Sequence, residues 1–278
     1  MLRLLNIEFQ KLRYSKSAKV LTIAYFVILL FIALIVSIEF NIGDIKVRIA
    51  DQGIFNFPFI WHFNTYMAAI LKFFLAVVIV SMMANEYSNR TLKQNLIDGM
   101  SKKEFVLSKF LTVTVFALIS AVFVLVMTLI LGYSFSDFNE FSIVIQDSEF
   151  ILAYFLKLTA FFSFCLFLGV LVKRSAFALG FLFIWWIIEN ISYALLKWEL
   201  FKDTDIADNV VQFFPLWSMS NLIDRPFERL NFVQSAASQL NADIGIDYAV
   251  HWYEVLIVLV WIFLFIYGSF ALLKKRDL

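Results

Sequence analysis

Six apolar runs constrain this chain more than any other feature. They cover residues 18–38, 65–84, 105–131, 150–172, 176–196 and 252–273. Each is near the roughly 20 residues that cross a bilayer as a helix. Lipid offers no partner to backbone N–H and C=O groups, so such runs are expected to span as helices. The third and fourth are longer than crossing requires, which predicts tilt or extension beyond the bilayer. The chain is 62% hydrophobic with a mean hydropathy of +0.83, beyond what soluble domains show, and its 34 Phe residues suit lipid contact. The sequence therefore predicts an all-α integral membrane protein, one transmembrane domain over residues 1–278. A net charge of +1 gives no case for nucleic acid as a partner; membrane lipids are the partner that composition implies. The single cysteine, Cys165, excludes a disulfide within the chain.

The remaining segments follow from these runs. Residues 1–17 place Leu2, Leu5, Phe9 and Leu12 on one helical face, with Arg3, Lys11, Arg13 and Lys16 elsewhere. This reads as an interfacial helix leading into the first span, the plainer alternative being a basic tail. No small-x-small site follows the first run, which argues against a cleaved signal peptide. With the N-terminus in the cytoplasm, most of the 23 Lys and Arg residues fall on the inner side, in segments holding Arg3 to Lys19, Arg90 to Lys109, Lys173–Arg174 and Lys274 to Arg276. Of the 22 acidic residues, only Glu8, Glu86, Asp98, Glu104 and Asp277 do so. Both termini are thus expected to be cytoplasmic. Among the outer loops, the cluster Phe55-Asn56-Phe57-Pro58-Phe59-Ile60-Trp61 reads as interfacial. The largest outer loop, 197–251, is expected to form a small external cap. In it Phe213-Phe214-Pro215-Leu216-Trp217 is apolar enough to dip into the leaflet or pack on the spans, and 231–240 reads as a short helix.

The stretch 85–109 is polar, charged and far longer than a connector between two spans needs to be. Residues 90–98 read as a short helix, with Ser88 or Asn89 as its start and Gly99 as its stop. Leu92, Leu96 and Met100 share one face as a small apolar ridge, with Arg90, Lys93 and Glu86 beside it. Ser101-Lys102-Lys103-Glu104 has the capping-box pattern and is expected to open the next helix at Lys102.

This arrangement resembles the segment between the second and third membrane helices in permeases of the type-2 ABC exporter family. There an acidic residue precedes an Arg/Gly-Thr-Leu-Lys element, then a Gly or Pro, then a Ser-Lys/Arg-x-Glu/Asp-Phe start and a closing Lys. Here those are Glu86, Arg90-Thr91-Leu92-Lys93, Gly99, Ser101-Lys102-Lys103-Glu104-Phe105 and Lys109. Arg90 stands where glycine is usual, which is a departure. The resemblance implies that residues 85–103 form a coupling helix docking into a groove on a separate ATPase subunit. Leu92, Leu96 and Met100 would fill the groove, with Glu86, Arg90 and Thr91 making polar contacts. Two ATPase copies would bind ATP and Mg, and a second permease, this same chain or a paralogue, would complete the transporter. The plainer alternative is a helix lying on headgroups, against which Glu86, Asp98 and Glu104 dilute the positive charge such a helix needs. In the resembled family the segment between the last two spans forms short re-entrant helices, and a bacterial inner membrane is implied.

Charges inside the spans are the other candidate site. Lys72, Lys157 and Glu189 each fall about seven residues from the outer end of a span, on the order of 10 Å deep. Such residues usually face a bundle interior or a cavity. One reading pairs Glu189 with one lysine and leaves the other to line an outward path; the other reading is snorkelling to the headgroups. His62 and His251 lie at span edges without ligand spacing, so no metal site is expected. None of the eight glycines forms a P-loop and no His-Glu-x-x-His occurs, so neither an ATPase nor a metalloprotease site is expected in this chain.

The sequence thus reads as the permease subunit of an ATP-driven exporter, not itself an enzyme. The alternative is a non-transporting scaffold subunit of an envelope machine acting through the loop 197–251. A secondary transporter is disfavoured because neither an inverted repeat nor Gly/Pro-broken spans are evident.

Overall fold

The structure is a computed structural model that describes residues 2–42, 45–48, 53–202, 205–230, 233–235, 239 and 247–276. Helix α1 (Leu2–Tyr14) turns at Ser15 into α2 (Lys16–Ser37), where the Ser15 hydroxyl accepts from the Ala18 amide at 3.3 Å. A small antiparallel hairpin, Glu39–Ile42 with Ile45–Arg48, follows; no alternating pattern had marked it in the sequence. Then come α3 (Phe59–Ile70), α4 (Lys72–Ser88), α5 (Thr91–Ile97), α6 (Lys102–Phe135), α7 (Phe141–Ile145), α8 (Glu149–Val172) and α9 (Ser175–Leu195), the last prolonged by a wide turn over Leu196–Leu200. Helices α10 (Ile206–Val211) and α11 (Pro215–Asn221), a tight turn at Pro226–Arg229 and α12 (Trp252–Lys275) complete the described chain. Most of the helix expected over 231–240 lies outside the described residues.

Among the described residues five helices, α2, α6, α8, α9 and α12, are long and apolar enough to cross a membrane. Taken together, the pair α3–α4, bent by 44°, passes the same test as one broken span, the sixth candidate. The protein is a multi-pass membrane protein of helices. The second span corrects the sequence reading. It starts at Phe59 rather than residue 65 and breaks at Leu71, without Gly or Pro. The break is carried by hydrogen bonds three residues apart, Leu71 N to Ala68 O at 3.2 Å and Phe74 N to Leu71 O at 3.1 Å, which tighten the helix locally. The aromatic cluster before it is not interfacial: Phe55, Phe57, Ile60 and Trp61 are all buried. Trp61 Nε1 donates to the Val144 carbonyl at 2.7 Å, and Asn64 donates to Thr128 Oγ1 at 3.0 Å, so α3 is locked inside the bundle.

Helix α8 is the element the others surround, in contact with α3, α4, α6, α9 and α12. The span containing it has 72% of its apolar window buried, against 17%, 11% and 17% for α2, α9 and α12, whose outer faces are left to lipid. Small residues let α8 approach its neighbours: a Cβ on Gly169 would lie 2.8 Å from the Met83 Cβ of α4. Inside the bundle, Tyr25 of α2 hydrogen-bonds Ser120 of α6 and Tyr154 of α8, each at 2.5 Å, and Ser120 meets Tyr154 at 2.8 Å. One face of the bundle carries α1, α5 and the end of α12. There the Arg276 guanidinium donates to the Val170 and Leu171 carbonyls and so satisfies the C-terminus of α8. The opposite face carries α7, α10 and α11.

Candidate functional site

The short helix after the second span is built by local rules. Arg90, not Ser88 or Asn89, occupies its N-cap, with φ 55° and ψ 18°, and makes no side-chain cap bond; the helix runs Thr91–Ile97. That left-handed conformation costs a side chain energy and glycine almost nothing. It gives a physical reason for the glycine that the type-2 pattern usually has where this chain has Arg90. At the other end Gly99, at φ 96°, sends its amide to Leu96 O at 3.2 Å while Met100 N reaches Asn95 O at 3.0 Å. These are the two bonds of a Schellman stop. The capping box then opens α6: the Ser101 hydroxyl accepts from Glu104 N at 3.1 Å and Glu104 accepts from Ser101 N at 2.8 Å.

The apolar ridge of α5 faces the opposite way from the sequence expectation. Leu92 is only 2% exposed, and Leu96 and Met100 pack against the core. The side presented to solvent holds Arg90, Lys93, Gln94, Ile97 and Asp98, with Ile97 70% exposed. The reason is burial. A seven-residue helix with one apolar edge gains most by laying that edge on the ends of the spans it joins.

Glu86 is likewise not on a rim. It is buried at the centre of a four-charge cluster. Lys109 of α6, fully buried, donates to Glu86 Oε1 and to Glu8 Oε2 of α1, each at 2.5 Å. Lys11 donates to Glu86 Oε1 at 2.8 Å and to Glu8 Oε1 at 3.3 Å. Two ammonium groups meet two carboxylates, so the cluster is neutral as a whole and each buried charge has a counter-ion. Burial works against the Lys11 ammonium, but the bond to Glu86 and the charges of both carboxylates outweigh it and raise its pKa. The remaining Glu86 oxygen, Oε2, accepts from Thr91 Oγ1 at 2.6 Å. Thr91 is the first residue of α5, so this bond ties the short helix to α1, α4 and α6 at one point. Sequence reasoning named Glu86, Thr91 and Lys109 but missed Glu8 and Lys11 as their partners. One signal was there: Glu8 lies three residues after Leu5 and four before Leu12, on the apolar face of α1.

The three charges within the spans are arranged differently from the expected pairing. Among the described residues, Glu189 of α9 binds no lysine. Its carboxylate accepts from the Leu216 amide at 3.1 Å, the Trp217 amide at 3.2 Å and Trp185 Nε1 at 2.7 Å, so it caps the N-terminus of α11. Lys157 of α8 donates to the Ser220 and Ile223 carbonyls at 3.1 and 3.2 Å, at the C-terminal end of the same helix. A short helix in an apolar setting leaves amides bare at one end and carbonyls at the other, and opposite charges at those ends satisfy both. Lys72, at the α3–α4 break, is left over. Among the described residues its ammonium has no hydrogen bond or ion pair, and it lies 4.4 Å from the centre of the Phe161 ring. It faces a cleft of about 510 Å³ whose wall also includes Glu189, Trp186 and Arg225.

His62, expected at a membrane edge, is fully buried. It stacks on Phe150 at 4.3 Å, with Nε2 2.9 Å from the Asp224 carbonyl and Nδ1 3.3 Å from Arg229. Arg229 in turn binds Asp147 at 3.0 Å, so this histidine fastens the segment after α11 to α3 and α8.

Five or six candidate spans, a short amphipathic helix after the second and a short helix lodged between the last two make up a multi-pass helical membrane protein. The pattern of the family described as ABC-2 family transporter protein matches residues 50–273, and the chain belongs to that family. It is a permease component of an ABC transporter, in a family whose permeases typically pair with a separate ABC ATPase subunit. No curated protein matches the chain.

Proposed function

We propose that this chain is the permease of an ATP-driven exporter, and that α5 is the coupling helix on which the ATPase subunit acts. The observation that carries this reading is the Thr91–Glu86 bond into the Lys109–Glu8–Lys11 cluster. A push on α5 is delivered through it to α1, α4 and α6 together rather than absorbed by a loose loop. Six spans make half a transporter, so two permeases, of this chain or with a paralogue, work with two ATPases that hold ATP and Mg. The excess of Lys and Arg on the α1–α5 face supports placing that face and both termini in the cytoplasm of an inner membrane. The ATPase groove meets Arg90, Lys93 and Ile97, the exposed side of α5. Leu92, Leu96 and Met100 act from behind, holding the helix to the spans. The Lys72 cleft lines the outward path, with Lys157 and Glu189 fixing α11 as its wall.

The experiment is co-purification with the ATPase and assay of transport-linked ATP hydrolysis. The Lys93→Glu/Ile97→Asp double variant is expected to accumulate in the membrane normally and lose the ATPase. Leu92→Asp is expected to lose the permease itself, because it buries a charge. Unchanged ATPase binding and coupling in the double variant overturns the docking surface. A stable permease that never recruits an ATPase redirects attention to a scaffold role through residues 197–251.

A further inference from the structure

The Lys72 cleft has a shape and charge that identify an occupant. Its rim is formed by Phe73, Phe183 and Trp186, which are 51%, 59% and 50% exposed although they belong to spans. It therefore opens sideways, onto the acyl region of the bilayer. Helix α4 is 17 residues long, so Lys72 stands on the order of 25 Å from the Ser88 end, at the α3–α4 break inside the second span and in its outer half. Two cations border the cleft, Lys72 and Arg225. Among the described residues neither has a hydrogen bond or ion pair. The one acid in the wall, Glu189, already accepts three N–H bonds and offsets the α11 dipole, so it neutralises neither cation; Lys72 has no carboxylate partner among the described residues, and Arg225 has only the adjacent Asp224 outside the wall. A cation such as Lys72 within a span is costly without a partner, whereas Arg225 reaches the cleft from the exposed segment after α11. A volume of about 510 Å³ holds a phosphate headgroup and the first methylenes of its chains.

We propose that this cleft binds an anionic phospholipid entering laterally from the bilayer, its phosphate between Lys72 and Arg225 and its acyl chains along Phe73, Phe183 and Trp186. Arg supplies a fork for phosphate oxygens and Lys a point charge at the Phe161 face. The proposal deepens the path reading, on which it rests for any role in transport; the binding is tested without the ATPase, so the two fail separately.

The test uses the full chain in nanodiscs of phosphatidylcholine. Brominated phosphatidylglycerol is titrated in and tryptophan quenching is read, with Trp186→Phe identifying the site-specific part. Brominated phosphatidylcholine is the comparison. About tenfold stronger quenching by the anionic lipid is expected, falling to the phosphatidylcholine level in Lys72→Gln/Arg225→Gln and retained in Lys72→Arg. An unchanged melting temperature shows that the Gln variant is folded; if it is not, the Lys72→Arg and single Arg225→Gln titrations decide. Equal quenching by the two lipids, or a preference that survives loss of both cations, overturns the proposal. Displacement by millimolar inorganic phosphate also overturns it, because the site would then be a water-facing anion site.

Discussion

Replacing Lys109 by Met tests the cluster at the root of α5. The substitution keeps the length of the side chain and removes its charge. Glu8 and Glu86, both 3% exposed, are then left with Lys11 alone, whose side chain is one-third exposed. Coulomb's law at an ordinary ion-pair distance of about 2.8 Å and an effective dielectric near 20 gives each Lys109 contact roughly 6 kcal/mol before desolvation. Desolvation of the ions offsets much of that. Breaking a buried pair from one side nonetheless costs about 3–5 kcal/mol, because the partner charge stays buried. A melt of the purified permease should fall by on the order of 10 °C. Lys103→Met, at an exposed neighbouring site, should leave it unchanged. The decisive arm is Glu86→Gln combined with Lys109→Met. With one charge of each sign gone, the double variant should be more stable than the sum of the single losses by about 1 kcal/mol or more. Additive losses, or a Lys109→Met melt within about 2 °C of the native chain, refute the buried cluster and with it the rigid attachment of α5.

Two further outcomes follow from the packing. Glu189→Gln removes the charge capping α11 while keeping its shape, and should cost about 1–2 kcal/mol and expose residues 213–217 to protease; unaltered cleavage there contradicts the capping role. Gly169→Val forces side-chain atoms against Met83 of α4, should cost about 1–3 kcal/mol, and should be partly rescued by Met83→Ala; a melt matching the native chain contradicts the close approach of α8 and α4.

What the sequence determined by itself is what depends on solvent and on local rules. Apolar length fixed helices across a bilayer, since lipid allows nothing else. The capping box at Ser101 and the stop at Gly99 were legible because each is written in a few adjacent residues. The pattern from Glu86 to Lys109 was legible too, and pointed to the family the chain belongs to. Only the tertiary structure decided directions and partners. Periodicity placed Leu92, Leu96 and Met100 on one edge, but an edge has no sense until the neighbouring helix ends are present to cover it. Glu86 and Lys109 sit 23 residues apart and meet Glu8, 101 residues before Lys109, a convergence no spacing rule contains. The same holds for Lys157 and Glu189. Each was recognisable as a charge needing a partner, but the partners are the backbone ends of α11, which carry no side-chain signature. The break at Leu71 was invisible for a similar reason. It uses neither Gly nor Pro and is set by the packing that locks α3 into the bundle.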